Sequence, residues 1–313
     1  MRVLFKLSAI AAALVYVAAA HAADPPRRLD VMGVSVSSLA NPYFSALARA
    51  AQARAEEINP RVRVMVTSSE YDVPAQVREI ERFITEHADL ILVAASHSSA
   101  LAPVLRRARE AGIPVVAVDV DTEGAEVMIQ SDNRGAGESV CRYLAARLNG
   151  KGNFIIQNGP QVSSVTDRVA GCHAALKDYP GIRLLTDKGD GLASPWGGSQ
   201  LMEEHVQRYP QIDAIFAIND RQALGAETIA LRRGMRKLLI GGVDGSPEVE
   251  VALKRPGLIV ASAAQSPAEI GRRGVDTGLA LREGRTSERG RVLLQTALVT
   301  RDSVAKYQGW NAR

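Results

Sequence analysis

The sequence is short of the features that announce most function classes. Past its first two dozen residues it has no uninterrupted apolar run of the roughly 18 residues that a membrane-spanning helix needs, so no later segment reads as a span. It has no arginine-rich arm and no lysine run. Its 38 basic and 34 acidic residues leave a formal charge of +4 and are spread along the chain, which gives no support for nucleic-acid or membrane-surface binding. Five histidines show no H-E-x-x-H spacing, and the two cysteines stand 31 residues apart with no histidine at ligand distance, so no metal site is expected. No G-x-S-x-G elbow exists, and Ser96-His97-Ser98-Ser99 reads as a polar loop. Gly189-Asp190-Gly191 lacks the third glycine and the following helix of a dinucleotide loop. Asp119-Val120-Asp121-Thr122-Glu123-Gly124 begins like a calcium loop, but Gln130 stands where the closing glutamate belongs. No cofactor, no metal and no nucleophile–base constellation are therefore expected.

What is present begins with an export signal. Arg2 and Lys6 precede an apolar stretch, Ala9–Ala20, and Ala20-His21-Ala22 supplies a small-x-small cleavage pattern, with the cut expected after Ala22. No cysteine follows to take a lipid anchor, so a free, soluble protein in the periplasm is expected. In an exported chain Cys141 and Cys172 read as a disulfide, the alternative being two buried thiols.

The rest alternates short β-branched runs with longer helical patterns. Strands are expected at Asp30–Val36, Val62–Thr67, Leu90–Ala94, Val115–Val118 and Val127–Gln130. A second series runs through Asn153–Gln157, Ile182–Thr186, Ala214–Ile218, Leu238–Val243 and Leu258–Ala263. Nine helical segments lie between and after them, with Asn41-Pro42 a good entry and Gly112 followed by Pro114 a good stop. Short apolar runs separated by helices mean parallel strands with right-handed crossovers. The fold class is α/β, with two doubly wound parallel-sheet lobes. The chain is expected to cross near Ser131–Asn133 and return near Ala264–Gln265. Val292–Thr300 reads as a last strand, with a third crossing left open. The expected division is a signal peptide at 1–22, a first lobe of 23–132 plus 265–290, and a second of 133–264 plus 291–313.

In such sheets ligands bind beyond the carboxyl ends of the strands. The residues there are polar, few are charged, and two or three are aromatic. Asp and Asn exchange hydrogen bonds with hydroxyls, Arg spans adjacent oxygens, and rings cover the C–H face of a sugar.

Taken in order, Asn41-Pro42-Tyr43-Phe44, Asp119, Ser131-Asp132-Asn133, Thr166-Asp167-Arg168, Asn219-Asp220, Gly242-Val243-Asp244-Gly245 and Gln265 give the chain its resemblance to the periplasmic sugar-binding proteins of the ribose/galactose type, the receptors of ABC importers. The resemblance implies ligand contacts from Asn41, Tyr43, Phe44 and Asp119 in the first lobe. From the second it implies Arg168, Asn219 and Asp244, with Gln265 at the hinge. It also implies lobe closure over one sugar or sugar alcohol, delivery to a membrane permease, and a monomer. Each residue also has a plain reading: a helix cap for Asn41, Asn219, Asp119 and Asp244, a packing role for Tyr43 and Phe44, a surface helix position for Arg168. Asp132 and Asp220 are read as structural. Trp196 is a further candidate contact, the alternative being a loop anchor. The sequence departs from ribose-type members at Val120, where they carry an arginine, and this tells against ribose itself.

Three other functions fit less well. A lactose-repressor-type regulator shares the fold but needs a DNA-binding head where the signal peptide stands. An exported α/β enzyme lacks a reactive constellation. A sensor-only receptor docking on a chemoreceptor or histidine kinase has the same pocket, and the sequence does not separate it from an importer's receptor.

Overall fold

The computed structural model describes residues 29–285 and 290–310. The signal peptide expected at Met1–Ala22 lies outside them. In chain order the elements are β1 (Val31–Val36), α1 (Pro42–Ile58), β2 (Arg63–Ser68), α2 (Val73–Thr85), β3 (Leu90–Val93), α3 (Ala102–Glu110), β4 (Val115–Val118), β5 (Val127–Ser131) and α4 (Asn133–Arg147). Then come β6 (Lys151–Gln157), α5 (Ser163–Leu176), β7 (Gly181–Thr186), α6 (Pro195–Arg208), β8 (Ala214–Ala217), α7 (Asp220–Arg232), β9 (Leu239–Asp244) and α8 (Pro247–Leu253). The last are β10 (Ile259–Ala264), α9 (Pro267–Arg282), β11 (Gly290–Leu294) and β12 (Ala297–Thr300).

The strands form two six-stranded sheets of matching design, in the orders β11-β5-β4-β3-β1-β2 and β12-β10-β9-β8-β6-β7. Every pairing is parallel except β10 with β12. The inner strands β3, β4, β8 and β10 are buried at every residue, because helices cover both faces of a parallel sheet. The helix entries follow local chemistry. Asn41, Asp72, Ser194 and Ser246 each cap a helix that carries Pro in its first two positions. The cap side chain satisfies an otherwise orphaned N–H, and Pro gives up a hydrogen bond the first turn never makes.

Three segments cross between the sheets: Asp132 between β5 and α4, Gln265-Ser266 between β10 and α9, and Gln295-Thr296 between β11 and β12. The single strand expected at Val292–Thr300 is thus two strands. Gly290–Leu294 pairs with β5 in the first sheet, and only β12 joins the second. This corrects the placement of 291–294 in the second lobe. Strands β5 and β10 each leave an open edge beside the crossing, and one tail covers both edges in turn.

Helices α4 and α5 pack closely enough to exclude a side chain between them. A Cβ at Gly137 would overlap the Arg168 carbonyl, and one at Gly171 would overlap the Arg134 carbonyl. The same helices are joined by a Cys141–Cys172 disulfide, with Cα atoms 5.2 Å apart and both residues fully buried. Closing a loop with a sequence separation of 31 restricts the unfolded chain, which places the expected contribution at about 2–4 kcal/mol. Urea unfolding of the ligand-free protein should therefore shift to a lower midpoint on reduction, or in a Cys141→Ala/Cys172→Ala variant. An unchanged midpoint would show that the α4–α5 packing holds without the bond.

Candidate functional site

The carboxyl ends of the two sheets face each other, and the residues just past those ends enclose one cavity. Asn41, Tyr43, Phe44 and Asp119 reach it from the first lobe, and Arg168, Asn219 and Asp244 from the second. Gln265 reaches it from a crossing segment. All eight were expected at a ligand site, and the fold brings them together around the same space. That space measures about 60 Å³. A water needs roughly 10–15 Å³ on such a measure, so the cavity suits a handful of oxygen-sized groups.

Trp196 is not among the lining residues. It stands in the first turn of α6 and is 64% exposed. The loop before it is pinned from the other side: the Ala193 N–H donates to Gln222 Oε1 at 3.0 Å, and Asn219 Nδ2 donates to the Ala193 carbonyl at 3.2 Å. Ala193 faces the cavity as a result, and the capped start of α6 carries Trp196 outward. The expectation of a ligand contact from Trp196 is corrected accordingly.

Arg168 organises the second-lobe side. It is 5% exposed, donates from Nε to Asn133 Oδ1 and from Nη1 to the Ile218 carbonyl, both at 2.8 Å, and lies 3.5 Å from Asp244 Oδ1. Gln265 Nε2 donates to the same Asp244 oxygen at 2.7 Å, while the Tyr43 hydroxyl donates to Gln265 Oε1 at 3.3 Å. A continuous chain of polar contacts thus runs from the first lobe through the crossing segment to the second. Trp310 reinforces it: its indole N–H donates to the Asp244 carbonyl at 2.7 Å, and its ring meets Tyr43 edge-on. Asn219 and Asn41 each cap the helix behind them, with Oδ1 taken by the N–H of Gln222 and of Tyr43. Asp132 and Asp220 are structural, as expected. Asp132 caps α4, and Asp220 accepts from the Ser246 N–H and the Ser262 hydroxyl at 2.7 Å each.

Both cavity carboxylates sit on unusual backbone. Asp119 has φ of +69° and Asp244 of +130°. A non-glycine residue held in that region stores of order 1–3 kcal/mol, and such strain gathers at functional sites. Burial also raises the pKa of both acids, against the opposing pull of Arg168, to about 6 for Asp244. Burial, then Asp119, raise Tyr43 well above the ordinary tyrosine value.

The sequence reading passed over Tyr71, which lines the cavity beyond the end of β2. Its signal was the rule applied elsewhere, namely the residue just past a strand's carboxyl end. Pro160, Val162, Val165 and Ile218 also line it, as does Val120, read from sequence only as a departure. Apolar residues in a loop or at a helix start carry no polar mark by which a sequence could single them out.

Comparison with known proteins agrees with this architecture. Residues 32–286 match the family model described as periplasmic binding protein domain. The D-ribose/D-allose-binding protein of Pseudomonas aeruginosa is 30% identical over 292 residues, covering 86% of this chain and 87% of that one. The ribose import binding protein of Bacillus subtilis is 29% identical over 245 residues, 77% and 78% of the two chains. Among solved structures, an ABC transporter solute binding protein from Mycobacterium smegmatis with bound glycerol superposes with a TM-score of 0.83 at 25% identity. It covers 88% of this chain and 96% of that one.

The raised pKa of Asp244 gives the site a pH signature. An acid whose pKa is higher folded than unfolded costs nothing while protonated, and its burial cost appears as the pH rises through about 6. Ligand-free Asp244→Asn should therefore melt higher than the parent at pH 8, with the gain shrinking as the pH falls from 6 toward 4. Equal melting temperatures at pH 8 would mean that Arg168 and Gln265 fully compensate the charge.

Proposed function

The chain belongs to the periplasmic binding protein family, and from that premise we propose that it is a receptor that closes its two lobes over a sugar or sugar alcohol and presents it to an ABC importer. The observation that carries the reading is the cavity itself. Ten polar and aromatic residues from two lobes and one crossing segment converge on a space the size of one small polyhydroxylated molecule.

The chemistry suits hydroxyls. Asp119, Asp244, Asn41, Asn219 and Gln265 accept or donate to O–H groups, the buried Arg168 adds a charged donor, and the rings of Tyr43 and Phe44 offer apolar faces. Closure has a physical basis in three narrow crossings, with direct contacts between the lobes that a rotation can make or break. One is the Asp121 N–H, beyond β4, donating to the Ser163 hydroxyl at the start of α5 at 2.9 Å. A ligand touching both lobes adds bonds that only the closed arrangement makes, so it shifts the population toward closure. The function needs no reacting group, which fits binding rather than turnover. The protein acts as a freely diffusing periplasmic monomer without nucleic-acid contacts, its signal peptide removed after Ala22. The ligand-contacting residues are Asn41, Tyr43, Phe44, Asp119, Arg168, Asn219, Asp244 and Gln265, all among those that line the cavity.

Differential scanning fluorimetry against pentoses, hexoses, alditols, cyclitols and amino acids tests the reading. At least one sugar or polyol should raise the melting temperature. Asp119→Ala and Arg168→Ala should each abolish that shift, while circular dichroism stays native. Stabilisation by amino acids alone would overturn the reading, and normal binding by both variants would move the site elsewhere.

A further inference from the structure

The charges on the cavity wall do not balance. Its charged lining residues are Asp119, Asp244 and Arg168, two carboxylates against one guanidinium. Arg168 is already committed. It lies 3.5 Å from Asp244 and gives its other bonds to Asn133 and the Ile218 carbonyl. Asp244 further accepts from Gln265.

Asp119 is provided for less fully, by the more distant pull of Arg168 and by the Tyr43 hydroxyl. It is 5% exposed, and its Oδ1 is buried without a hydrogen-bond partner among the described residues. The Tyr43 hydroxyl lies within hydrogen-bonding reach of Asp119 and also donates to Gln265 at 3.3 Å, so one proton is shared between two acceptors. The next residue in the chain, where a second cation would most simply stand, is Val120, itself buried and lining the cavity. The layer behind does not correct the deficit. Arg221 acts on Asp244 and on Tyr71 without lining the cavity, and its neighbour Asp220 is an acid turned to Ser246 and Ser262. Two carboxylates sharing one guanidinium out of water leave a charge that is only partly compensated, and that is costly. A ligand bringing positive charge removes that cost.

We propose that the ligand is an amino sugar or other amine-bearing polyol, its ammonium seated against Asp119. An ammonium supplies three donors and the missing charge. The remaining hydroxyls meet Arg168, Asn219, Asp244 and Gln265, while the C–H surface lies on Val120, Val162 and Val165. The inference rests on the receptor reading above and narrows its substrate class.

Calorimetric titration of the mature full-length chain separates the two. Glucose, galactose, mannose and myo-inositol would each be compared with the monoamino-deoxy compound and its N-acetyl form. In at least one set the free amine should bind about tenfold or more tightly than the hydroxyl compound, and N-acetylation should remove the gain. Asp119→Asn should collapse that ratio, and Val120→Arg should invert it in favour of the hydroxyl compound. If the hydroxyl compound binds more tightly in every set that binds, the charge inference fails and the receptor reading stands. An amine preference unchanged in Asp119→Asn removes Asp119 from the role given to it and overturns the inference. Silence from every compound overturns the amine inference and leaves the receptor reading to the wider fluorimetry panel.

Discussion

The cleft depends on where one buried guanidinium is held. A buried charge is tolerated only with partners in good geometry, and Arg168 has three: Asn133, the Ile218 carbonyl and Asp244. Two of them require α5 to lie against α4 and β8 at close to a fixed distance. Asn133, Gly137 and Cys141 fall on one stripe of α4 at intervals of four residues. Arg168, Gly171 and Cys172 form the matching stripe on α5. The glycines let the backbones touch, the disulfide fixes the helices one turn beyond, and the first turn of α4 presents Asn133 to the arginine. The packing of two helices and the position of one charge are therefore the same constraint.

The two acids show the opposite side of this arrangement. Asp119 and Asp244 stand at equivalent places, just beyond or at the carboxyl ends of β4 and β9, both with positive φ and both with pKa values raised by burial. Each feature costs stability. Together they turn carboxylates into a dry space, where hydrogen bonds to a ligand are stronger than in water. The fold meets that cost elsewhere, in inner strands that are apolar on both faces.

Much of this was legible in the sequence, for a physical reason. A strand buried on both faces has to be a short apolar run, and its crossover helix needs a cap and often a Pro. The order β–α and the residue just after each strand could therefore be read directly, as at Asn41, Asp119 and Asn219. What could not be read depended on three-dimensional coverage. Trp196 looked like an aromatic offered to a ligand, yet its direction is set by the helix cap at Ser194, by the bond Gln222 accepts from the Ala193 N–H and by the one Asn219 donates to the Ala193 carbonyl, both partners lying further along the chain. The tail looked like one strand because both halves are apolar. Only the two open sheet edges decide that it divides at Gln295-Thr296. Val120 and Val162 are invisible as site residues because an apolar wall looks like core.

The crossing segments show why binding and closure belong to one network. A hinge made only of flexible loop would let the lobes move without regard to the cavity's contents. Gln265 lies in a crossing segment and also lines the cavity, accepting from Tyr43 of the first lobe while donating to Asp244 of the second. Trp310, beyond the third crossing, packs on Tyr43 and holds the Asp244 carbonyl. Rotation of the lobes about these segments therefore has to change the distance between Tyr43 and Asp244, two of the groups that line the cavity. The geometry that recognises the ligand is completed by the same movement that encloses it, so a molecule too large or wrongly charged for the cavity opposes closure directly.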